Sequence, residues 1–271
     1  METLLTNTPM IDWITLTSWQ ITAWDELIHD ELYKPQTIEG YKGHRDNKSG
    51  IWVGTGKQRN HDIGEMVGHR MTVVSGRNAD EQQTAVREAS PSDTKCTRID
   101  IQITTDWPNA DLWNVLRRWR EKGRRGSTME SDTGMTVYLG AWGSERFARI
   151  YQKTPTLCRF EMCYKKGYAS PLWERLGACD GLVQREMMGN WLAYELLRIG
   201  DPILDAVFGD VLLGNPEKPP REARRPTTDT ERWIKRVVYP ALAKYSQSHD
   251  VDPYLIAGLM DILRGEKDDN L

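Results

Sequence analysis

Three short segments in the middle of the chain carry acidic, basic and phenolic side chains at alternate positions. Because successive side chains of a β-strand point to opposite faces, each segment separates into an apolar face and a polar face. If the three strands are neighbours, their polar faces bring together two carboxylates, a tyrosine, three arginines and a lysine: Arg98, Asp100, Arg149, Tyr151, Lys153, Arg159 and Glu161. Such groups exchange protons and bind ions of either sign. The pattern suggests a functional site, although a half-solvated antiparallel sheet gives the same alternation.

A second candidate is a basic cluster in which six cations fall within nine residues and one acid, Glu121, interrupts them. The cluster consists of Arg117, Arg118, Arg120, Lys122, Arg124 and Arg125. The net charge of −3 does not decide whether the chain binds nucleic acid. DNA binding requires a basic patch on one face and not a basic total. The cluster is either a contact for DNA phosphates or a solvated helix end, and the sequence leaves both open.

Strands and helices must position these residues. Alternating apolar positions predict strands over 11–17, 69–75, 97–103, 135–139, 147–152 and 158–164. A helix is predicted from Asn109 or Asp111 to about Lys122, so that the basic cluster occupies its last turns and the turn that follows. A loop is predicted over 126–134, and residues 78–94 are either a helix or a long loop.

The chain turns helical after Gly167, which predicts an α+β fold with an antiparallel sheet backed by helices. We expect one large domain over 1–213, a proline-rich linker over 214–230 and a C-terminal helical segment over 231–271. No apolar run approaches the roughly 18 residues that span a bilayer. The four cysteines form no C-x-x-C pair, so a cytoplasmic protein with free thiols is expected.

The three segments also resemble, in order and spacing, the Rep_trans replication initiation factors, which start rolling-circle replication of plasmids and phages. The strings are TRIDIQIT at 97–104, GMTVYLGAWGSERFARIYQK at 134–153 and RFEMCYK at 159–165. In that family the blocks read roughly T-R-x-D-x-A-x-D, T-x-Y-x-G-x-x-x-S-x-R-x-x-R-x-Y-x-K and R-x-E-x-E-L-K. The resemblance covers most of residues 10–245 and is most specific in the middle block. It implies an antiparallel sheet of the replication-initiator kind.

The resemblance implies that Tyr151 is the nucleophile of an origin-specific DNA nicking and joining reaction. The tyrosine attacks a phosphodiester, becomes joined to the 5′ phosphate and leaves a free 3′ hydroxyl that primes synthesis. A neutral phenol is a weak nucleophile at pH 7, so it requires a base or cations that stabilise the developing charge. Arg149 and Lys153, two residues either side of Tyr151, are expected to supply such cations.

The resemblance also implies a divalent metal ion, Mg²⁺ or Mn²⁺, bound by Asp100 and Glu161. Thr104 and Cys163 stand where the family has its second acid in the first and third blocks. Asp106, two residues beyond the first block, is the expected substitute ligand, and Gln102 offers a neutral oxygen. Other tyrosine nickases bind metal through a His-x-His pair, and the five histidines of this chain form none.

DNA is the expected partner, as origin duplex and as single strand, and Arg98, Arg146 and Arg159 join the basic cluster as expected contacts. A host helicase and a homodimer are implied by the resemblance alone, and no membrane partner is expected. If the two replaced acids abolish nicking, the chain is instead a non-catalytic DNA-binding relative that acts as a regulator or structural protein. A conjugative relaxase is the third alternative. Many relaxases carry an N-terminal helix-turn-helix, for which the ten residues before Ile11 leave no room.

Overall fold

The computed structural model of the chain describes residues 7–28, 35–46, 49–60, 64–131, 134–212 and 215–223, together with 237, 238, 240, 241, 244 and 245. The chain divides into two compact units, Met1–Glu222 and Ala223–Leu271. The predicted C-terminal helical segment over 231–271 lies mostly outside the described residues. In the part of the chain that is described, no helix is long and apolar enough to cross a membrane.

Ten antiparallel strands among the described residues form a single sheet in the first unit. In chain order they are β1 Met10–Ser18, β2 Gln36–Ile38, β3 Tyr41–Arg45, β4 Trp52–Arg59, β5 Met66–Ser75, β6 Lys95–Asp106, β7 Gly126–Ser131, β8 Gly134–Leu139, β9 Arg146–Gln152 and β10 Leu157–Lys165. Their order across the sheet is β2-β3-β4-β5-β1-β6-β10-β9-β8-β7. The three segments identified from the sequence therefore form the adjacent strands β6, β10 and β9.

Helices cover one face of this sheet. Within the described residues they are α1 Arg77–Glu88, α2 Leu112–Glu121, α3 Ala169–Gly177, α4 Gly181–Ile199 and α5 Pro202–Phe208. Ile99, Ile101 and Ile103 of β6 are fully buried in one apolar cluster with Leu116 of α2 and Trp191 of α4. The fold is therefore α+β. The opposite side of β6, β10 and β9 carries Arg98, Asp100, Arg149, Arg159 and Glu161, and we call it the polar face.

Helix α2, which carries the first part of the basic cluster, begins where the sequence predicts. The Asp111 side chain accepts a hydrogen bond from the Asn114 N–H at 3.0 Å, which is the usual way to satisfy a free N–H at a helix start. Buried apolar residues then recur at helical spacing and attach α2 to the sheet: Leu112, Val115, Leu116 and Trp119. Residues 78–94, left open between helix and loop, contribute most of α1.

The predicted loop over 126–134 is wrong, because residues 126–131 form strand β7. This strand lies at the edge of the sheet and pairs with β8, with Gly126 opposite Leu139 and Ser131 opposite Gly134. Its last residues are exposed. An edge strand of this kind buries little side-chain surface, so its sequence shows none of the apolar alternation on which the prediction depended.

The first half of the predicted linker packs on the first unit. The Glu217 N–H donates to the Asn190 carbonyl at 3.1 Å, and the Glu222 N–H donates to the Gly167 carbonyl at 2.7 Å. Arg175 also forms an ion pair with Glu217 at 2.7 Å. Residues 215–222 therefore belong structurally to the sheet-containing unit, in agreement with its end at Glu222.

Candidate functional site

The polar face places the predicted site residues in three rows that run across β8, β9, β10 and β6. Residues opposite one another in antiparallel strands share a face, so each row is a set of neighbouring side chains. The rows are Phe147–Cys163–Asp100, then Tyr138–Arg149–Glu161–Gln102, then Thr136–Tyr151–Arg159–Thr104. The pairing of strands thus brings acids, arginines and the candidate tyrosine together, although they are up to 61 positions apart in the sequence.

Arg149 lies between the two carboxylates of the site. Its Nη2 donates to Asp100 Oδ2 at 2.8 Å and also to Glu161 Oε1. Asp100 is held from its other side by Arg98, whose Nε donates to Oδ1 at 2.9 Å. The side chains of Asp100 and Glu161 are 0% and 1% exposed. Because carboxylates are costly to bury without a cation, the two arginines are what permits both acids to lie inside the sheet face.

These residues do not fit a hard divalent cation while Arg149 lies between the acids. One observation favours a ligand, because Glu161 Oε2 is buried without a hydrogen-bond partner among the described residues. Against it, the guanidinium would repel a divalent ion from both carboxylates. Burial raises the pKa of the Cys163 thiol to about 12, so this sulfur stays protonated. Within the described residues, no three His, Cys, Asp or Glu side chains are grouped to hold a metal.

Asp106, the expected substitute ligand, is not brought to the two acids. It lies at the end of β6, opposite Leu157 and six residues along the strand from Asp100. At about 3.3 Å per residue this separation is about 20 Å. The predicted trio of Asp100, Glu161 and Asp106 is therefore reduced to a pair.

Tyr151 lies in the third row beside Arg159. The Arg159 Nη1 donates to the Tyr151 hydroxyl at 3.3 Å and to Asp12 Oδ1 at 2.9 Å, while Nε donates to Thr104 Oγ1 at 3.1 Å. Burial raises the pKa of the Tyr151 hydroxyl, although the nearby Arg159 cation opposes the shift. The phenol is therefore neutral at pH 7 and must lose its proton in order to attack an electrophile.

Asp12 is a site residue that the sequence analysis did not select. It lies in β1, where the pairing with β6 is irregular between Ile11 and Trp13, and its carboxylate fixes Arg159. The signal was present in the sequence. Asp12 is the only charged residue of this strand, and an acid between Ile11 and Trp13 is costly there unless a cation compensates it.

Lys153 does not share the strand of Tyr151. Strand β9 ends at Gln152, and Lys153 lies one residue beyond it, exposed, with its backbone N–H bonded to the Leu157 carbonyl at 2.8 Å. Arg149 lies on the face of Tyr151, and Arg159 is the cation that touches the hydroxyl; the expected role of Lys153 stays a prediction.

The basic cluster lies on the helix-covered side of the sheet, opposite Tyr151. Several of its cations serve the fold. Lys122 donates to the Gly200 carbonyl, and Arg124 donates to the Arg198 and Ile199 carbonyls at 3.1 Å. Cations at these positions stabilise the C-terminus of α4, where the carbonyls lack helical partners.

The remaining cations of the cluster differ in whether they already pair with another group of the protein. Arg117 pairs with Glu121 at 2.6 Å, and Arg120 donates to the Gly126 carbonyl at 3.0 Å. The side chains of Arg118 and Arg125 make no hydrogen bond or ion pair with the described part of the chain. These two are the members of the cluster best placed to meet a phosphate backbone.

Arg146 is also turned away from the polar face. Its Nη1 forms an ion pair with Glu195 of α4 at 2.7 Å, and Glu195 is completely buried. Arg198 holds the other oxygen of the same carboxylate at 2.6 Å. Arg146 therefore attaches β9 to α4, and its expected contact with DNA is not supported by its position.

Comparisons with known proteins add a likeness to solved structures. No protein-family model matches this chain, and no curated protein matches it. Among solved structures, the chain is similar to a rolling circle replication initiator protein from Geobacillus stearothermophilus, with 16% identity and a TM-score of 0.46, over 78% of this chain and 98% of that chain. The family resemblance therefore rests on the three sequence blocks.

Proposed function

We propose that this protein nicks and joins DNA through Tyr151, and that this reaction initiates rolling-circle replication of a plasmid, phage or integrated element. The observation that supports the proposal is the convergence of the three sequence blocks in one site. There the Tyr151 hydroxyl lies 3.3 Å from a guanidinium nitrogen of Arg159, and Arg149 lies in the adjacent row. A phenol beside cations is suited to attack a phosphodiester, because the cations stabilise the charge that develops.

In the proposed reaction the Tyr151 oxygen forms a bond to phosphorus while the bond from phosphorus to the 3′ oxygen breaks. The phenol loses one proton and the departing 3′ oxygen gains one, so the step needs no oxidant, reductant or second substrate. Arg159 is placed to bind a non-bridging phosphate oxygen, since it already donates toward the tyrosine oxygen. Attack of a 3′ hydroxyl on the tyrosine ester reverses the step and joins the strand.

A nicking assay tests this proposal. The purified chain is incubated with supercoiled plasmids that carry segments of the DNA flanking its gene, and the products are separated on an agarose gel after treatment with SDS. We expect conversion of one plasmid to the open-circular form, with protein attached covalently to the 5′ end. If the protein binds one of these DNA segments but does not nick it at any Mg²⁺ or Mn²⁺ concentration tested, the proposed nicking function is contradicted.

Binding without nicking is the outcome expected of the alternative function, a non-catalytic DNA-binding protein. The ion-pair network favours this alternative, because Arg149 neutralises both acids and Thr104 and Cys163 replace the two others expected of a relative. In this case the arginines of the polar face neutralise DNA phosphates without chemistry. A helicase partner and a homodimer stay predictions from the resemblance under either function.

A further inference from the structure

Three aromatic rings form a stack at one end of the polar face. Trp142 lies in the loop between β8 and β9, and its ring centroid is 4.6 Å from that of Tyr138 and 5.7 Å from that of Phe147, with interplanar angles of 34° and 31°. Tyr138 and Phe147 are 5% and 2% exposed, whereas Trp142 is 50% exposed. One side of the indole is therefore packed on buried rings and the other side is open to solvent.

The loop holds this indole in place. The Ser144 hydroxyl lies 2.6 Å from the carbonyl oxygens of both Ala141 and Arg146, and the Ser144 N–H donates to the Ala141 carbonyl at 2.9 Å. A ring fixed in this way loses little conformational entropy when a ligand packs against it. The half-exposed tryptophan is thus a preformed flat surface.

The stack lies beside the candidate active site. Tyr138 is directly opposite Arg149, and Tyr151 is opposite Thr136, two residues along the same strand. Two residues of a strand span about 7 Å, which is comparable to the step between nucleotides in an extended single strand. Phe147, the other supporting ring, is four residues from Tyr151 along β9, or about 13 Å. A base that packs on Trp142 would therefore belong to a nucleotide about one or two steps from the one whose phosphate lies at Tyr151.

Cations accompany the aromatic rings along the same face. Lys165 Nζ lies 5.1 Å from the Phe147 ring centroid and has no ion pair among the described residues. Arg149 and Arg159 follow in the next two rows, where they pair with Asp100 and Glu161 and with Asp12, so the uncompensated cation beside the rings is Lys165. Rings that alternate with cations fit a nucleic acid single strand, which presents flat bases and a charged backbone together. An apolar protein partner would gain nothing from the cations, so the charge pattern favours the nucleic acid.

We propose that Trp142, supported by Tyr138 and Phe147, is the stacking surface for a base of single-stranded DNA next to Tyr151. The proposal rests on the proposed function for its choice of DNA and adds the residue that positions the strand. It predicts affinity with little preference for base type, because every base has a π-face to pack on an indole.

Binding of a fluorescein-labelled, mixed-sequence oligonucleotide of about 12 nucleotides, followed by fluorescence anisotropy, tests the proposal. All variants carry Tyr151→Phe, so that no nicking complicates the binding. We expect Trp142→Ala to weaken binding roughly tenfold or more, and Trp142→Phe to retain most of the affinity. Trp113→Ala is the matched control, because Trp113 is 55% exposed on α2, on the other side of the sheet, and it should leave the affinity unchanged.

An oligonucleotide of abasic sites separates stacking from loss of fold. It keeps the phosphates but lacks bases, so Trp142→Ala should not weaken its binding further. Equal losses for Trp142→Ala and Trp113→Ala, an unchanged affinity for Trp142→Ala, or an equal loss with the abasic strand would each overturn the proposal. Failure of the proposed function looks different: the oligonucleotide binds with the expected dependence on Trp142, but the protein with Tyr151 intact forms no adduct on any flanking DNA.

Discussion

Replacing Tyr151 with phenylalanine should abolish the covalent protein–DNA adduct of the proposed reaction and leave DNA binding close to that of the wild type. The substitution keeps the ring, which is packed beside Arg159, and removes only the attacking oxygen. Arg159 loses its hydrogen bond of 3.3 Å but keeps Asp12 and Thr104, so the cost to stability is about 1 kcal/mol or less. A labelled oligonucleotide from the flanking DNA, separated on a denaturing gel, reports the adduct directly.

Tyr138→Phe is the matched control for this experiment. Tyr138 lies on the same face, one strand away, and its ring is buried against Phe147 and Cys163. Its hydroxyl has no role in the proposed reaction, so the variant should form adduct at the wild-type level. Adduct formation by Tyr151→Phe together with its loss in Tyr138→Phe would show that the nucleophile had been assigned to the wrong residue.

Replacing Arg149 with methionine should lower the free energy of unfolding by about 3 kcal/mol. The substitution keeps an unbranched side chain of similar length but leaves Glu161, which is 1% exposed, without the cation that it contacts. Asp100 keeps Arg98, which places the expected loss at the lower end of the range for a broken buried pair. Urea unfolding followed by circular dichroism should show a fall in the midpoint of about 1 M or more.

Arg117→Met provides the comparison for that measurement. Arg117 also pairs with a carboxylate, at 2.6 Å from Glu121, but the two side chains are 63% and 57% exposed. Exposed ion pairs of this kind contribute little to stability. The substitution should therefore lower the free energy of unfolding by about 0.5 kcal/mol or less, with a correspondingly small change in the urea midpoint. Equal midpoints for Arg149→Met and Arg117→Met would mean that Arg149 does not compensate the buried acids.

The central strands were predictable because the alternation of apolar and polar residues that marks them lies within each segment. The alternation in residues 97–103 and 147–152 follows from one buried and one polar face, and the structure places both segments in strands. Edge strand β7 was missed because burial, the source of that signal, is nearly absent there. Pairing partners depend on long-range register, which alternation does not encode, so the order of the strands came from the structure.

The residue types of the site were predictable, but their pairings were not. The sequence indicated that Asp100, Glu161 and Arg149 share a face, and the register shows which atoms meet. Arg149 was expected to assist the tyrosine, whereas its guanidinium contacts the acids that were expected to bind metal. The cation beside the tyrosine is Arg159, from a strand that follows it in the chain.

The position of the basic cluster in the fold could not be predicted from the sequence either. Composition identifies six cations in nine residues, but it does not indicate that Lys122 and Arg124 bond to the end of α4. Nor does it show that α2 lies on the helix-covered face while Tyr151 lies on the other. A cluster that helps to close the fold leaves fewer charges for DNA than its sequence suggests.

The identity of the residue that becomes attached to DNA is the most direct test of the proposed function. The adduct formed by wild-type protein on flanking DNA is digested with nuclease and trypsin, and the peptides are sequenced by mass spectrometry. Cleavage after Arg149 and Lys153 releases the tetrapeptide Ile150–Lys153, which should carry a nucleotide on Tyr151 through its 5′ phosphate. A nucleotide on any other peptide, with Ile150–Lys153 recovered unmodified, would contradict the assignment of Tyr151 as the nucleophile.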